Sequence, residues 1–460
     1  APINTSAPTV TAPTGNRYFV GKKLSITAGT WDSGSSTYQW YRCTAAVASS
    51  SSTLDSSCWA IEAKSTSSTF TLTPAEAGFY VLVGETATSV DGVTTVYSAS
   101  SGRVRAARVV VEGDGRTCMV KVGQVYCWGK NLYNQTGVGG TTTPVTSLTN
   151  GPIVKSDGSV LTNVVSLTAS VNSTCAVTLE GNAWCWGIGN YSFAQGVSTP
   201  MFPNGTLAGV TNNRAVRILS AANTPLASVV DVALSSGAAC FLTADGSVYC
   251  AYATSAILGV NGATTTYYAM RVVNSSTAGD YLSGVEQIAG GSNTMCALVN
   301  AGVRCWGTTG TSLMNGVSPA ADVSIPTAVP VVSDGTGADL SARVTNIAVG
   351  YETVCAVKAG KAYCWGANNP ANGTSLGQLG TGSVSTSLIT NNNKTVLNGE
   401  NSNADPYVDI AKSASTTSSS DTTCLVASTG KLYCFGYGNT FALTNASTSS
   451  TSSPLSLIHI

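Results

Sequence analysis

The sequence predicts an all-β protein, a small β-sandwich over residues 1–102 followed by a β-propeller over residues 103–460. Three observations predict it. Apolar and polar residues alternate over short runs along nearly the whole chain. Most of the 14 cysteines fall in pairs nine or ten residues apart. Six segments built on one cysteine-framed pattern recur through the second part.

Charged residues make up 10% of the chain, against about 25% in an ordinary soluble domain. Ser, Thr, Asn and Gly take their place, so the exterior is hydroxyl-lined rather than ionic. With 22 basic and 22 acidic residues the net charge is zero. The densest basic group, Arg103, Arg105 and Arg108, reads as a solvated linker strand, too sparse for the phosphate neutralisation that nucleic acids require. No apolar run approaches the length of a membrane span. The chain begins at Ala1 without an initiator Met, which reads as a mature exported protein whose signal peptide has been removed.

The six segments are 117–129, 175–187, 240–252, 296–307, 355–366 and 424–436. Each runs cysteine, apolar strand, turn, second strand, cysteine, aromatic and usually Gly. A spacing of nine centres a two-residue turn on Val122-Gly123, Asn300-Ala301 and Ala359-Gly360. A spacing of ten centres a three-residue loop on Leu179-Glu180-Gly181, Ala244-Asp245-Gly246 and Ser428-Thr429-Gly430, with Gly where a left-handed residue belongs. Counting back from either turn sets the two cysteines opposite each other at a non-hydrogen-bonded pair, close enough to bridge. The expected disulfides are Cys118–Cys127, Cys175–Cys185, Cys240–Cys250, Cys296–Cys305, Cys355–Cys364 and Cys424–Cys434. Metal or redox use of these thiols is set aside, because no CxxC occurs and the one histidine is His459.

Short alternating strands such as 229–233, 285–291 and 344–350 precede the cysteine hairpins, and Pro-bearing extended pieces such as 325–331 lie upstream of those. Four strands per repeat make one propeller blade. The unit V-x-x-I-A-x-G…C-A-x-x-x-x-G-x-x-Y-C-W-G resembles the RCC1 repeat. The fifth copy carries the likeness best, from Ile347-Ala348-Val349-Gly350 through Cys355 and Tyr363-Cys364-Trp365-Gly366 to Leu376-Gly377-Gln378-Leu379-Gly380. The resemblance implies an RCC1-like propeller over about 104–460, with six copies counted and seven blades usual in the family. The third copy departs with Ala251-Tyr252, and the sixth with Phe435-Gly436. Cysteines in every copy point to an extracellular branch, and nothing supports a GTPase-regulating role. The C-terminal stretch 453–460 resembles the strands upstream of the repeats. It is expected to complete the first blade, with donation to a neighbouring molecule as the alternative.

Residues 8–102 read as about seven short strands with turns, the sandwich signature. The run from Trp31 through Tyr38-Gln39-Trp40-Tyr41-Arg42-Cys43 to Cys58, Ile61 and Thr71-Leu72-Thr73-Pro74-Ala75-Glu76-Ala77-Gly78 resembles Ig-like modules repeated on bacterial surface proteins. Within that resemblance Cys43–Cys58 pins a local hairpin and Trp40 is a core residue. The join at 98–106 is too short for a flexible linker, which implies a fixed relation between the domains.

No catalytic constellation is legible: no histidine partners a nucleophile, every cysteine is assigned to a bridge, and acidic residues are scattered singly. No cofactor or metal is expected. Glu112-Gly113-Asp114-Gly115 reads as a turn rather than a calcium loop, and Gly137-Val138-Gly139-Gly140 precedes no helix and so cradles no phosphate. Asn-X-Ser/Thr sequons at Asn134, Asn172, Asn190, Asn204, Asn274, Asn372, Asn393 and Asn445 are read as chance in a Ser/Thr/Asn-rich chain. The expectation is a non-enzymatic extracellular structural protein: a homo-oligomeric or polymeric subunit of a cell-surface filament, sheath or other assembly. The alternative is an adhesin or a secreted receptor- or inhibitor-type module that binds surface proteins or glycans. It would use the insertions 141–162, 190–227, 253–284 and 368–406 as a loop surface on one face. Neither reading involves nucleic acid or insertion into a membrane.

Overall fold

The computed structural model describes the chain outside residues 12–17, 19–22, 44–45, 62–67, 73–75, 77–78, 103, 105–108, 113–115, 122, 132–135, 138–150, 171–172, 189–210, 222, 236–237, 252–258, 261–267, 292–293, 309–323, 331–339, 341–343, 351–352, 359, 367–378, 380–393, 396–406, 413–421, 428–430, 437–450 and 460. It divides into two compact units, Ala1–Arg108 and Val109–Ile460. Among the described residues there is no α-helix.

The first unit contains β1 (Asn4–Ser6), β2 (Thr9–Thr11), β3 (Lys23–Thr27), β4 (Thr30–Trp31), β5 (Ser35–Cys43), β6 (Cys58–Ala60), β7 (Thr69–Thr71), β8 (Tyr80–Ser89) and β9 (Gly92–Tyr97). They form sheets ordered β6-β5-β8-β9 and β2-β3-β7, with β1 paired to β4. Trp40 of β5 is fully buried and stacks on Phe70 of β7 at 5.3 Å between ring centroids. An aromatic pair of this kind adds about 0.5–1.5 kcal/mol to the burial itself, and here it joins the two larger sheets. Cys43 and Cys58 lie opposite each other on β5 and β6, 4.0 Å apart at Cα, and are bridged within one sheet. Buried Glu76 takes an ion pair from Arg42 at 3.4 Å.

The second unit is a succession of sheets, each contiguous in sequence. The first holds β10 (Val109–Glu112), β11 (Arg116–Lys121) and β12 (Gln124–Gly129). The second holds β13 (Val164–Ser170), β14 (Ser173–Thr178), β15 (Ala183–Ile188) and β16 (Thr211–Arg217), trailed by the small pair β17 (Leu219–Ala221) and β18 (Thr224–Pro225). The third holds β19 (Val229–Leu234), β20 (Ala239–Thr243), β21 (Val248–Ala251) and β22 (Met270–Arg271). The fourth holds β23 (Val285–Gly290), β24 (Thr294–Val299), β25 (Gly302–Thr308) and β26 (Ser324–Pro330). The fifth holds β27 (Val344–Val349), β28 (Thr353–Lys358), β29 (Lys361–Gly366) and β30 (Lys394–Thr395). The sixth holds β31 (Tyr407–Lys412), β32 (Thr422–Ala427), β33 (Lys431–Gly436) and β34 (Thr451–His459). Every pairing within these sheets is antiparallel between consecutive strands.

The first strands β10, β13, β19, β23, β27 and β31 pack on one another in series and so form the inner layer. Space there is tight. A Cβ on Gly290 would sit 2.4 Å from the Leu234 carbonyl oxygen, and one on Gly291 only 1.9 Å from that of Gly350. The small residues that close the V-x-x-I-A-x-G motif are therefore a packing requirement of the inner layer. Each first strand from β13 onward is tied to the preceding hairpin turn by one backbone bond. Val164, Val229, Val285, Val344 and Tyr407 donate to the carbonyls of Gly123, Gly181, Gly246, Ala301 and Gly360.

The hydrophobic core lies between sheets. Side chains alternate across a strand, so a cysteine and the residue after it face opposite neighbours. Cys240 and Cys250 share a cluster with Trp306 of the next sheet, Cys296 and Cys305 with Trp365, and Cys355 and Cys364 with Phe435. Each Cys-aromatic dipeptide thus packs its cystine forward and its ring backward. The six hairpin disulfides join Cys118–Cys127, Cys175–Cys185, Cys240–Cys250, Cys296–Cys305, Cys355–Cys364 and Cys424–Cys434, all at 4.1 Å between Cα atoms.

One expectation is corrected. The C-terminal strand does not complete the first sheet: β34 pairs with β33, its own predecessor. The Pro-bearing stretch β26 likewise pairs with β25, completing the sheet of the hairpin before it. Proline lacks an N–H and is tolerated at a sheet edge, and the outer edge of the preceding sheet is where these strands lie.

Candidate binding surface

Antiparallel order fixes which connections share an end of the array. Links between first and second strands, and between third and fourth, lie at one end. Hairpin turns, and links from a fourth strand to the next first strand, lie at the other. The four insertions singled out from the sequence are therefore not one surface. Fourth strands β16, β22 and β30 run through three of them, and Ile153 in the remaining one donates to the Val125 carbonyl as a fourth strand would. Each insertion therefore straddles a fourth-strand position and is not a single loop. Of the third-to-fourth links, 138–150, 189–210 and 380–393 fall outside the described residues.

The turn end is described best. Three return segments there repeat one bond: Leu161 donates to Ile153, Leu226 to Ile218 and Leu282 to Val272. Residues in the left-handed region precede the next first strands, Asn163 at φ 58°, Ser228 at 56° and Gly284 at 68°. Short polar side chains tolerate that region better than bulky ones. Around this scaffold sit several charged groups. The Lys155 ammonium lies 5.5 Å from the Trp184 ring centroid and 3.9 Å from Asp157. Arg217 donates to the Asn182 amide oxygen. Arg271 lies 4.9 Å from the centroid of the Tyr281 ring, itself 42% exposed, and donates to the Ser247 hydroxyl at 2.8 Å. Asp245 accepts from the Thr243 hydroxyl at 2.6 Å and from the Ser247 N–H at 3.1 Å. Those bonds, Thr243 first, hold its carboxyl below the ordinary range. The exposed Asp157 carboxyl is lowered likewise by the Ser159 hydroxyl and N–H. The cation–aromatic pairs are not legible in the sequence because the two members of each pair meet only through the fold.

Several expectations fall on residues that are not described: Gly113, Asp114 and Gly115 of the acidic turn, Val138 to Gly140, Arg103, Arg105 and Arg108, and the sequons at 134, 172, 190, 204, 372, 393 and 445. The described sequon residue, Asn274, donates its amide to both carboxylate oxygens of Asp280 at 3.2 Å. Among the described residues no group of three or more His, Cys, Asp or Glu side chains is placed to hold a metal. Among the described residues no helix is long and apolar enough to cross a membrane.

No protein-family model matches the chain, and no curated protein does. Solved structures do. Prp20p of Saccharomyces cerevisiae is 18% identical, with 76% of each chain covered and a TM-score of 0.54. Yeast RCC1 (Prp20) bound to Kap60 is also 18% identical, covering 76% of this chain and 74% of its own at a TM-score of 0.55. The likeness shows an RCC1-like β-propeller fold in this chain. Human WBSCR16 extends the likeness, at 14% identity, over 92% of this chain and 94% of its own with a TM-score of 0.54. At these identities the RCC1-like likeness speaks for fold alone. Seven disulfides in one chain point to an oxidising environment.

Proposed function

We propose that the chain is a non-enzymatic extracellular protein of bacterial type, an Ig-like sandwich followed by a six-bladed ring, serving as the repeating subunit of a cell-surface filament, sheath or similar assembly. The observation that carries this reading is the edge of β9. That strand, Gly-Val-Thr-Thr-Val-Tyr, has no charge and no proline, the devices that normally blunt an edge. Among the described residues it pairs with β8 on one side, and its other side meets only Ser51, at Tyr97. Val90 and Val93 stand at its open end, 101% and 60% exposed. A chain with 22 basic and 22 acidic residues offers little long-range repulsion between copies.

Val93→Lys tests the reading. Size-exclusion and negative-stain imaging are expected to show concentration-dependent oligomers for the parent and monodisperse particles for the variant. A parent that stays monomeric at every concentration rejects assembly. It would leave the second reading, an adhesin or protein-binding module, which the exposed Tyr281 beside Arg271 at the turn end favours.

A further inference from the structure

At its turn end the third sheet carries a polar and aromatic group that blade packing does not require. Arg271 of β22 stands opposite Tyr249, the residue before the second cysteine. Arg217 of β16 stands opposite Trp184 at the same step of the second sheet. Both guanidinium groups reach back to the third residue before that cysteine, Arg271 to the Ser247 hydroxyl at 2.8 Å and Arg217 to the Asn182 amide oxygen. The fold does not demand an arginine there, since Pro330 and Thr395 take the place in the fourth and fifth sheets. What the third sheet adds is a ring and an acid. Arg271 lies 4.9 Å from the centroid of the Tyr281 ring, and that residue stays 42% exposed. Buried Ser247 also donates its hydroxyl to the exposed Asp245 carboxylate at 3.1 Å. Stacking on the ring and the bond to Ser247 fix the guanidinium. That bond is the only one its side chain makes among the described residues, so its terminal nitrogens keep donors to spare.

We propose that Tyr281, Arg271 and Asp245 form a binding site for a neutral hexopyranose, the sugar unit of a glycan. An anion would meet the Asp245 carboxylate, and a cation the Arg271 guanidinium. The paired charges therefore select a neutral ligand that both donates and accepts. A pyranose carries such hydroxyls along its edge and a face of C–H bonds that packs on an aromatic ring, whose own phenol end is polar. This site rests on the second reading, that of a binding module, and names its ligand class. One ring and two polar side chains on an open surface hold a monosaccharide weakly, with a dissociation constant of about 1 mM.

Saturation-transfer NMR with the full chain and the methyl glycosides of glucose, mannose and galactose tests the site. At least one sugar is expected to receive magnetisation at its ring protons. Tyr281→Phe should keep that signal because the ring remains. Tyr281→Ala should lower it about fivefold, with the melting temperature reporting that the fold persists. Asp245→Asn removes the charge and an acceptor, should weaken the signal as well, and decides alone if Tyr281→Ala does not fold. Silence from all three sugars, or a signal that either variant leaves intact, overturns the site. So does a response to methyl glucuronide alone, which would mark Arg271 as an anion fork. The sugar signal should be the same in Val93→Lys as in the parent, so the site stands or falls apart from assembly. Attachment to cells that Tyr281→Ala abolishes without any sugar signal would keep the binding module and overturn the sugar.

Discussion

The interface between the second and third sheets and that between the third and fourth solve one packing problem with opposite assignments. In the later interface, Trp306 follows its cysteine and projects back against Cys240 and Cys250, while the residue after Cys296 is Ala297. In the earlier one Ala251 stands at the tryptophan position and Phe241 follows Cys240, both facing Cys175 and Cys185. Large and small have exchanged strands on the same face of the hairpin. The fifth sheet keeps the common form with Ala356 and Trp365. The missing tryptophan of the third repeat is thus half of a compensated pair, as expected where interiors are filled to crystal-like density. What the inter-sheet space demands is one bulky ring near the preceding cystine, and either strand can supply it.

Trp306→Ala gives the largest expected effect, a loss of about 3–5 kcal/mol in the propeller unit measured by denaturant unfolding. Adding Ala297→Phe reproduces the third sheet's arrangement and should recover about 1–2 kcal/mol, the usual coupling between contacting residues. If the double variant is no more stable than Trp306→Ala, the two positions do not share a volume and the exchange is coincidence. One glycine sharpens the point. Gly259, at φ 66°, places its missing Cβ 2.8 Å from Trp306 Nε1, so the ring is fixed from outside the hairpin as well.

These pairs also show what the sequence could and could not reveal. The six hairpins were legible because their turns sit at a fixed distance from both cysteines, and left-handed residues such as Gly181 and Gly246 mark the turns. Repetition sampled that constraint six times. The partner of each outer strand was not legible: β26 and β34 look the same whether they join the hairpin before or the one after. The first unit occurs once, and the burial of Glu85 was invisible for a local reason. Both faces of β8 are covered from Val81 to Glu85, so alternation gives no sign that Glu85 is buried. That β9 stands last in the order β6-β5-β8-β9 is a property of topology, which no single strand declares.

A second, intermediate effect separates the disulfides. Both cysteines of the pairs from the first to the fifth sheet are 0–2% exposed. Cys58 reaches 9%, and Cys424 is partly exposed. Reduction requires a thiolate to reach a sulfur, so mild reductant followed by alkylation and peptide mapping should open Cys43–Cys58 and Cys424–Cys434 first. The others should persist until the propeller unfolds. Removing one of them, as in Cys355→Ala with Cys364→Ala, should cost about 2–3 kcal/mol by the loop-entropy argument. Early labelling of Cys240 or Cys296 would mean that the inter-sheet core opens more readily than its burial implies.

The smallest effect concerns the inner layer, where one first strand differs from its counterparts. At the step occupied by Val165, Val230 and Thr345 in other sheets, β23 carries Glu286. Its Oε2 is buried without a partner, and one backbone bond from Ala301 only partly offsets the burial that raises its carboxyl above the ordinary value. A raised acid favours the folded state while protonated. Stability from this group is therefore full below the unfolded glutamate value of about 4.3 and is lost as pH rises through the higher folded one. Glu286→Gln removes that loss. Because the side chain is partly solvated the gain is modest, about 1–2 °C in melting temperature at pH 8. It should shrink toward nothing as the pH falls to 4. A difference between variant and parent that holds constant across this range would show that the amide acts by shape or hydrogen bonding, and that ionisation at Glu286 costs the propeller nothing.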